Sequence, residues 1–172
     1  SNNVFVSNII KIKDVSVRFN TCTVINTTVR AECTSTIKTS GTYKQFIIFS
    51  NTNISWMVSR YMEFDNYHII KFLNCSFMET YNNYRNGAIN LINTRHFHVE
   101  KCIFNTYTAS IIRIQNCNKI HIDHIEVFQI NHWNQYNHIK NVSLFIFHHI
   151  MGLHIINSIF RNIQFSGAYI LG

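Results

Sequence analysis

The sequence contains no proline, and only 13% of its 172 residues are charged. Because proline lacks the amide hydrogen that a strand ladder needs, its absence fits a body made of strands. Acidic residues are the scarcest charged type: 8 Asp and Glu stand against 15 Lys and Arg, which gives a net charge of +7. A polysaccharide hydrolase needs paired carboxylates and a calcium-dependent lyase needs clustered acids, so this scarcity argues against catalysis.

Two further signals are missing. No two of the five cysteines have the C-x-x-C spacing of a metal site, and no cofactor is indicated. The longest apolar stretch, residues 144–160, is interrupted by three histidines and Asn157, so we expect no transmembrane segment. Apolar residues do not recur at the helical period anywhere in the repeat described next; they alternate with polar ones, which is typical of half-buried strands.

A repeated pattern dominates the middle of the chain. Residues 88–104 superimpose on residues 111–127 at an offset of 23, and the apolar positions match. The matched pairs are Ile89 with Ile112, Leu91 with Ile114, Phe97 with Ile120, Val99 with Ile122, Cys102 with Ile125 and Phe104 with Val127. Self-similarity at this period indicates a solenoid, and short alternating strands select its β form.

The repeat extends in both directions. One later unit begins at Phe145, which matches Ile112, and another at the end of the chain, where Tyr169 matches Phe145. An earlier unit begins at Met62, which matches Ile89. Two more are assigned near the start, with Val4 and Cys22 each in the place of Met62. Residues 46–61 could hold a further unit, but no room for a turn remains before Met62, so that unit is the least secure.

The fold expected from these repeats is all-β, a single-stranded right-handed parallel β-helix of about six to eight coils. Asn recurs at one corner and suits a tight turn with a left-handed backbone. Its amides could form a ladder from coil to coil. The proposed ladder residues are Asn8, Asn26, Asn66, Asn93 and Asn116.

The phrases NLINTRHFHVEKCIF, RIQNCNKIHIDHIEVF and HHIMGLHIINSIF resemble coils of right-handed parallel β-helix proteins. This class includes pectate lyases, polygalacturonases and large adhesins and surface proteins. The resemblance covers nearly the whole chain, and it implies a fold rather than an activity. The GHG and paired-Asp motifs of the enzymes are missing. We expect residues 1–172 to be one β-helical segment of a longer chain, with further coils or other subunits at both ends.

One outward column of the predicted coils is basic or imidazole-bearing throughout. It contains Lys11, Arg30, Lys71, His98, His121 and His154. Stacked like charges repel unless a polyanion or neighbouring acids compensate them, so the column indicates an acidic glycan or an acidic protein surface as partner. The alternative is that neutral histidines simply cover the sheet surface. No nucleic-acid motif accompanies the column, and we expect no nucleic-acid partner.

Three longer connections are expected at 37–45, 78–86 and 128–141, all leaving one corner of the coils. Two of them place aromatic side chains beside cations, which suits sugar stacking or protein contact. These residues are Tyr81, Tyr84, Arg85, His132, Trp133, Tyr136 and Lys140. The alternative is that the aromatics fold back over the coil edge.

Two kinds of residue could carry covalent modifications. Cys75 and Cys102 share a column in successive coils, where they could form a disulfide or remain buried thiols. Asn53, Asn74 and Asn141 are glycosylation candidates at acceptor sequons.

Together these features predict a non-catalytic structural or binding segment of an extracellular or cell-surface protein, a rigid rod for assembly or adhesion. The alternative is a carbohydrate-active β-helix, a lyase or glycoside hydrolase, with catalytic coils partly outside this segment. Asp123 and Glu100 come closest to a carboxylate pair, but Lys101 and His124 follow them directly, so salt bridges are the simpler expectation.

Overall fold

The computed structural model describes residues 3–6, 9–25, 28–32, 45–56, 62–79, 89–106, 111–129, 143–161 and 166–171. Within these residues every regular element is a β-strand. The strands are β1 (Asn3–Val6), β2 (Ile9–Lys13), β3 (Val17–Asn20), β4 (Cys22–Ile25), β5 (Thr28–Glu32), β6 (Phe46–Ser50), β7 (Asn53–Trp56), β8 (Met62–Asp65), β9 (Ile69–Leu73), β10 (Ser76–Glu79), β11 (Ile89–Glu100), β12 (Ile103–Thr106), β13 (Ile112–Asp123), β14 (Glu126–Gln129), β15 (Ser143–Ile150), β16 (Leu153–Ile156), β17 (Ile159–Arg161) and β18 (Ser166–Leu171).

The strands form three sets, and the chain passes through the sets in turn. The first set is β2, β5, β8, the start of β11, the start of β13, β15 and β18; the second is β3, β6, β9, the end of β11, the end of β13 and β16; the third is β1, β4, β7, β10, β12, β14 and β17. Every pairing is parallel and joins equivalent strands of successive repeats. The protein is therefore all-β with parallel sheets, an arrangement compatible with a solenoid.

The central register agrees with the sequence prediction. Ile89 pairs with Ile112 and with Met62, and Ile112 pairs with Phe145, so the offsets of 23, 27 and 33 residues are confirmed. The last offset is wrong by one residue, because Phe145 pairs with Ala168 rather than Tyr169. A one-residue shift in a strand exchanges its two faces, and the short apolar run 168–171 does not show which face is inward.

The core consists of inward side chains stacked in columns along the sets. In the second set the rings of Phe19, Phe49 and Phe72 lie nearly parallel, with centroids 4.5 and 4.9 Å apart. In the third set Phe77 and Phe104 stack at 4.4 Å. All five are buried. Each such ring removes a large apolar surface from water, worth about 1.5–3 kcal/mol, and this burial holds the repeats together.

Single residues with a left-handed backbone form two of the corners. Between the first and second sets they are Asp14, Asn66, Asn93, Asn116 and His149; between the second and third sets they are Thr21, Asn51, Asn74, Lys101, His124 and Asn157. Their φ angles lie between 48° and 61°. Asn and Asp adopt this conformation at the lowest cost among residues with a Cβ, which explains why Asn is the commonest residue in both corners.

A polar ladder runs along each of these corners. At the first corner Asn116 donates to Asn93 at 2.9 Å, and Asn93 donates to Asp65 at 3.2 Å. The second ladder was not predicted: Asn74 donates to Asn51 at 2.8 Å, and Asn51 donates to Asn20 at 3.3 Å. The predicted ladder is confirmed between Asn93 and Asn116, whereas Asn93 donates to Asp65 and not to Asn66.

The first two repeats were assigned to the wrong strand sets. Cys22 and Val24 were placed with Met62 and Phe64, but β4 belongs to the third set, and it is Val29 and Ala31 that pair with Met62 and Phe64. The same displacement applies to Ile10 in β2. Val4 in β1 is displaced in the same way and also by one residue, because Asn3 and not Val4 pairs with Cys22, and Val4 is exposed. Asn8 and Asn26 lie outside the described residues.

The region 46–61 does not hold a separate unit. Its strands β6 and β7 complete the repeat that β5 begins, so the connection predicted at 37–45 joins a first-set strand to a second-set strand. The other two connections join third-set strands to first-set strands, so the three do not leave one corner. Gln45 at the end of the first connection, Met78 and Glu79 in β10, and Phe128 and Gln129 in β14 lie inside the described structure; the rest of these connections lies outside it.

Across the described ranges, no helix is long and apolar enough to cross a membrane.

Candidate functional site

The outward surface of the second set carries a cluster of positive and imidazole side chains in the middle of the chain. Lys71 on β9 pairs in register with His98 on β11, His98 with His121 on β13, and His121 with His154 on β16. A second column beside it places His96 next to Lys119. These six residues, called the basic face below, alternate with the buried residues Ile70, Phe72, Phe97, Val99, Ile120 and Ile122, which fix their direction.

The imidazoles of the basic face lie close to one another. The ring centroids of His98 and His121 are 4.8 Å apart, and those of His121 and His154 are 6.4 Å apart. His96 meets His68, which precedes β9, edge to face at 5.2 Å. A shallow depression of about 380 Å³ lies over this surface, lined by Ile69, Lys71, His96, Phe97, His98, Lys119 and His121. An open depression with cations on two columns suits an extended anion rather than an enclosed small molecule.

Two acids border the basic face on its third-set side. Glu100 and Asp123 pair in register on β11 and β13. Glu100 lies 3.4 Å from the Lys101 ammonium and 3.3 Å from Nε2 of His98, and Asp123 lies 2.7 Å from Nδ1 of His124. The predicted salt bridges to Lys101 and His124 are therefore confirmed. Within the described part of the chain, every ion pair of this surface involves Glu100 or Asp123, and these two carboxylates lie at the border of the basic face.

The surroundings shift the pKa of three groups here. Burial lowers the pKa of His98, and the neighbouring His121 lowers it further, while Glu100 opposes the shift. The Lys101 ammonium lowers the pKa of Glu100. Desolvation opposes a low pKa at Asp123, but hydrogen bonding from Asn157 and the charge of His124 lower it overall. The two carboxylates therefore remain ionised in mildly acidic solution, whereas His98 is held neutral at neutral pH.

The predicted column of six residues is wrong at two positions. Lys11 and Arg30 pair with each other in the first set, and Arg30 pairs with Glu63. They line a different depression together with Glu32, Glu63 and Asp65, where both signs of charge are present. The displaced assignment of the first two repeats moved them into the wrong column. Lys71, His98, His121 and His154 are brought together as predicted.

Arg18 was missed by the sequence analysis. It occupies the predicted column two repeats before Lys71, with Ile48 between them. Its guanidinium lies 5.3 Å from the centre of the Phe46 ring, an arrangement that favours a cation over an aromatic face. The alternation Val17-Arg18-Phe19 matches Ile70-Lys71-Phe72, and this match is the signal that could have identified it.

Of the two alternatives for Cys75 and Cys102, the structure has the buried thiols and not the disulfide. Cys22, Cys75, Cys102 and Cys117 are all buried free thiols. Cys75 and Cys102 do share a column, as predicted, and the backbone N–H of Cys75 donates to Sγ of Cys102 at 3.4 Å. The Cys102 thiol donates to the carbonyl of Glu100 at 3.3 Å, and the Cys75 thiol donates to that of Leu73 at 3.4 Å.

The column of Cys75 and Cys102 holds small hydrogen-bond donors in most repeats. Thr52 and Ser158 occupy it in other repeats and make the same contact with the carbonyl two residues earlier, at 2.9 and 2.7 Å. Cysteine therefore meets a packing and hydrogen-bonding requirement of the corner, and a disulfide is not needed to explain it.

The glycosylation candidates differ in their surroundings. Asn53 is exposed at the start of β7, and its Oδ1 accepts a hydrogen bond from Ser76 at 2.7 Å. Asn74 is exposed, but its side-chain nitrogen, the atom to which a glycan attaches, donates to Asn51 in the second ladder. Asn141 lies outside the described residues. So do all seven loop-edge candidates, Tyr81, Tyr84, Arg85, His132, Trp133, Tyr136 and Lys140, which remain predictions.

No group of three or more His, Cys, Asp or Glu side chains in the described ranges is arranged to hold a metal ion.

No protein-family model, curated protein or solved structure matches this chain.

Proposed function

We propose that the chain is a single-stranded right-handed parallel β-helix, a non-catalytic segment of an extracellular or cell-surface protein, and that it binds an acidic glycan through the basic face. The all-parallel pairing of three strand sets visited in turn supports the β-helix. Right-handed crossovers are strongly preferred between parallel strands, which supports the handedness. The chain would serve as a rigid rod for assembly or adhesion.

The observation that carries the binding proposal is the column Lys71, His98, His121 and His154 with His96 and Lys119 beside it, in which Glu100 contacts His98 from the border. Cations on neighbouring strands destabilise a sheet unless an opposite charge compensates them. The two neighbouring carboxylates are already engaged at the border. An external polyanion would offset the repulsion that remains.

The spacing of the column suits a linear polymer. Neighbouring strands lie about 4.8 Å apart, so four successive strands present donors over about 15 Å along the stack. A polysaccharide lying across the strands would meet a new cation or imidazole at each repeat. The packed sheet beneath holds these groups at fixed intervals. Their side chains therefore lose little conformational entropy when a stiff polymer binds.

The proposal is tested by binding to an immobilised sulfated or uronic-acid polysaccharide. Replacing Lys71 and Lys119 with Gln should weaken binding by ~10-fold or more and reduce its salt dependence, because two cations leave the basic face. The matched control replaces Lys11 and Arg30 with Gln, which removes the same charge from the first set and should change affinity less than ~2-fold.

Equal losses in the two double variants would mean that net charge, and not the basic face, causes binding. Binding to an acidic protein surface but to no polysaccharide would reject the glycan as partner. Depolymerisation of the polysaccharide that disappears in Asp123→Asn would reject the non-catalytic assignment and support the carbohydrate-active alternative.

A further inference from the structure

The basic face contains far more imidazole than permanent positive charge. Four of its six residues are histidines, and His68 contacts one of them from the corner before β9. Histidine is the side chain whose charge changes most readily between pH 5 and 8. The charge of this surface therefore depends on pH far more than that of the first set, where Lys11 and Arg30 pair with strands bearing Glu32 and Glu63.

The charged groups around the imidazoles leave a small net positive charge at neutral pH, because four permanent cations stand against two carboxylates. Lys71 on β9 and Lys119 on β13 contribute two positive charges, and Glu100 on β11 and Asp123 on β13 contribute two negative ones. Lys101 and His124 at the following corner pair with those acids, and Arg95 is exposed at the corner before His96. On β16 the outward neighbour of His154 is Ile156, and on β6 the partner of Lys71 is Ile48, so neither strand adds a charge there.

We infer that acidification strengthens glycan binding by the basic face, because each imidazole that gains a proton adds a positive charge to a surface that is only weakly cationic at neutral pH. This inference rests on the proposed function and adds its regulation. The rings of His98 and His121 lie 4.8 Å apart and those of His121 and His154 6.4 Å apart, so a positive charge on one ring hinders a positive charge on the next in the free protein. A polyanion lying over the column removes that hindrance.

The coupling between protons and ligand follows from this geometry. In the free protein, burial and the neighbouring His121 lower the pKa of His98, so that it is neutral at neutral pH. A bound polyanion favours the imidazolium and raises the pKa, so binding must take up protons. By linkage, a lower pH must then tighten binding by the same coupling free energy.

The first measurement uses dextran sulfate, because its sulfate esters remain fully ionised and only the protein titrates between pH 7.5 and 5.5. At constant ionic strength we expect binding to be ~10–100-fold tighter at pH 5.5. Calorimetry of the unmodified protein at pH 6.5, in two buffers with different ionisation enthalpies, should show an uptake of ~1–3 protons per bound site. No proton uptake would overturn the inference without requiring any variant.

The second measurement uses the double variant His98→Asn and His121→Asn, in which the column keeps polar side chains but loses two titrating groups. Its affinity ratio between the two pH values should fall to less than about one third of the wild-type ratio. The control is His148→Gln on β15, which removes one imidazole from the first set and places there the residue that its register partner Gln115 already presents. A control variant that loses pH dependence as fully as the double variant would contradict the inference.

The possible results separate the two proposals. Absence of binding at both pH values rejects the proposed function. Equal binding at both pH values leaves the proposed function standing and rejects the pH dependence. Tighter binding at pH 5.5 with proton uptake, reduced by the double variant alone, supports both.

Discussion

The side-chain amide of Asn116 donates a hydrogen bond to Oδ1 of Asn93, 2.9 Å away on the preceding repeat. Asn93 in turn donates to Asp65 at 3.2 Å. Both asparagines have a left-handed backbone, with φ of 58° and 53°. One residue type therefore satisfies two demands of the corner: it tolerates an unusual backbone angle, and it connects neighbouring repeats through its amide.

Replacing Asn93 separates these two demands. Asn93→Ala should lower the free energy of unfolding by about 1–3 kcal/mol, because Ala is strained at positive φ and both amide contacts are lost. Asn93→Gly should cost less, since Gly accepts the angle and loses only the contacts. Urea unfolding measures both, with Asn118→Ala as a control at an exposed asparagine of β13 whose φ is not positive. Equal effects of Ala and Gly would show that backbone strain plays no part.

The stacked phenylalanines give a second prediction. Phe104 is 1% exposed and stacks on Phe77 at 4.4 Å, whereas its neighbour Ile103 is 42% exposed on the same strand. Phe104→Ala should destabilise the fold by about 3–5 kcal/mol through the cavity that it leaves. Ile103→Ala and His98→Ala should each cost less than about 1 kcal/mol in denaturant unfolding. Similar losses for Phe104 and Ile103 would mean that the two faces of β12 are reversed.

Stability without ligand should decrease in mild acid. The pKa of His98 is lowered in the folded protein by burial and by His121, so the unfolded chain binds its proton at higher pH than the folded chain. The stabilising effect of a neutral His98 is therefore complete above the unfolded pKa of about 6.5 and is lost as the pH falls from there through the folded pKa.

Melting temperatures between pH 7.5 and 5 should fall for the wild-type protein and fall less for His98→Asn, which has no proton to bind. The difference between the two curves isolates this residue from the other acid-sensitive groups. A difference that stays constant across the range would contradict the predicted contribution of His98.

The buried thiols should be unreactive in the folded protein. Burial raises the pKa of Cys117 to about 11, so only about one thiol in a thousand is ionised at pH 8. The pKa of Cys102 is also raised, by its hydrogen bonding with Cys75 and by burial. The same hydrogen bond lowers the pKa of Cys75, so for that thiol it is burial that keeps the reagent away. Iodoacetamide followed by peptide mass spectrometry should leave Cys22, Cys75, Cys102 and Cys117 unmodified until denaturant is added. A melting temperature that falls on adding a reducing agent would show a disulfide among them.

The central register could be predicted because apolar and polar residues alternate in it without interruption. From Met62 to Phe160 the inward residues recur at offsets that the strand pairing reproduces. The first two repeats could not be placed by the same argument. Each repeat has three short strands with similar alternation, so a displacement by one strand set still leaves residues such as Ile10, Val29 and Ala31 on the inward face. Asn8 and Asn26 resemble the ladder residues and favoured the wrong choice.

The residues of the candidate site were grouped correctly only where the strand register was predicted correctly. Lys71, His98, His121 and His154 lie in the well-matched repeats and were correctly grouped, whereas Lys11 and Arg30 lie in the displaced ones. The missing disulfide has a different cause. The spacing of Cys75 and Cys102 fits a bridge and fits a column of small donors equally well, and only the hydrogen bonds to Glu100 and Leu73 distinguish them.

The corner between the second and third sets is closed in the same way in all six described repeats, by one left-handed residue and the residue after it. By contrast, the link from the third set to the first ranges from two residues between β1 and β2 to thirteen between β14 and β15. The length of the chain thus varies at the link from the third set to the first and stays constant at the corner between the second and third sets. Foreign peptides grafted between β10 and β11 or between β14 and β15 should therefore be displayed at a defined height without disturbing the neighbouring coils.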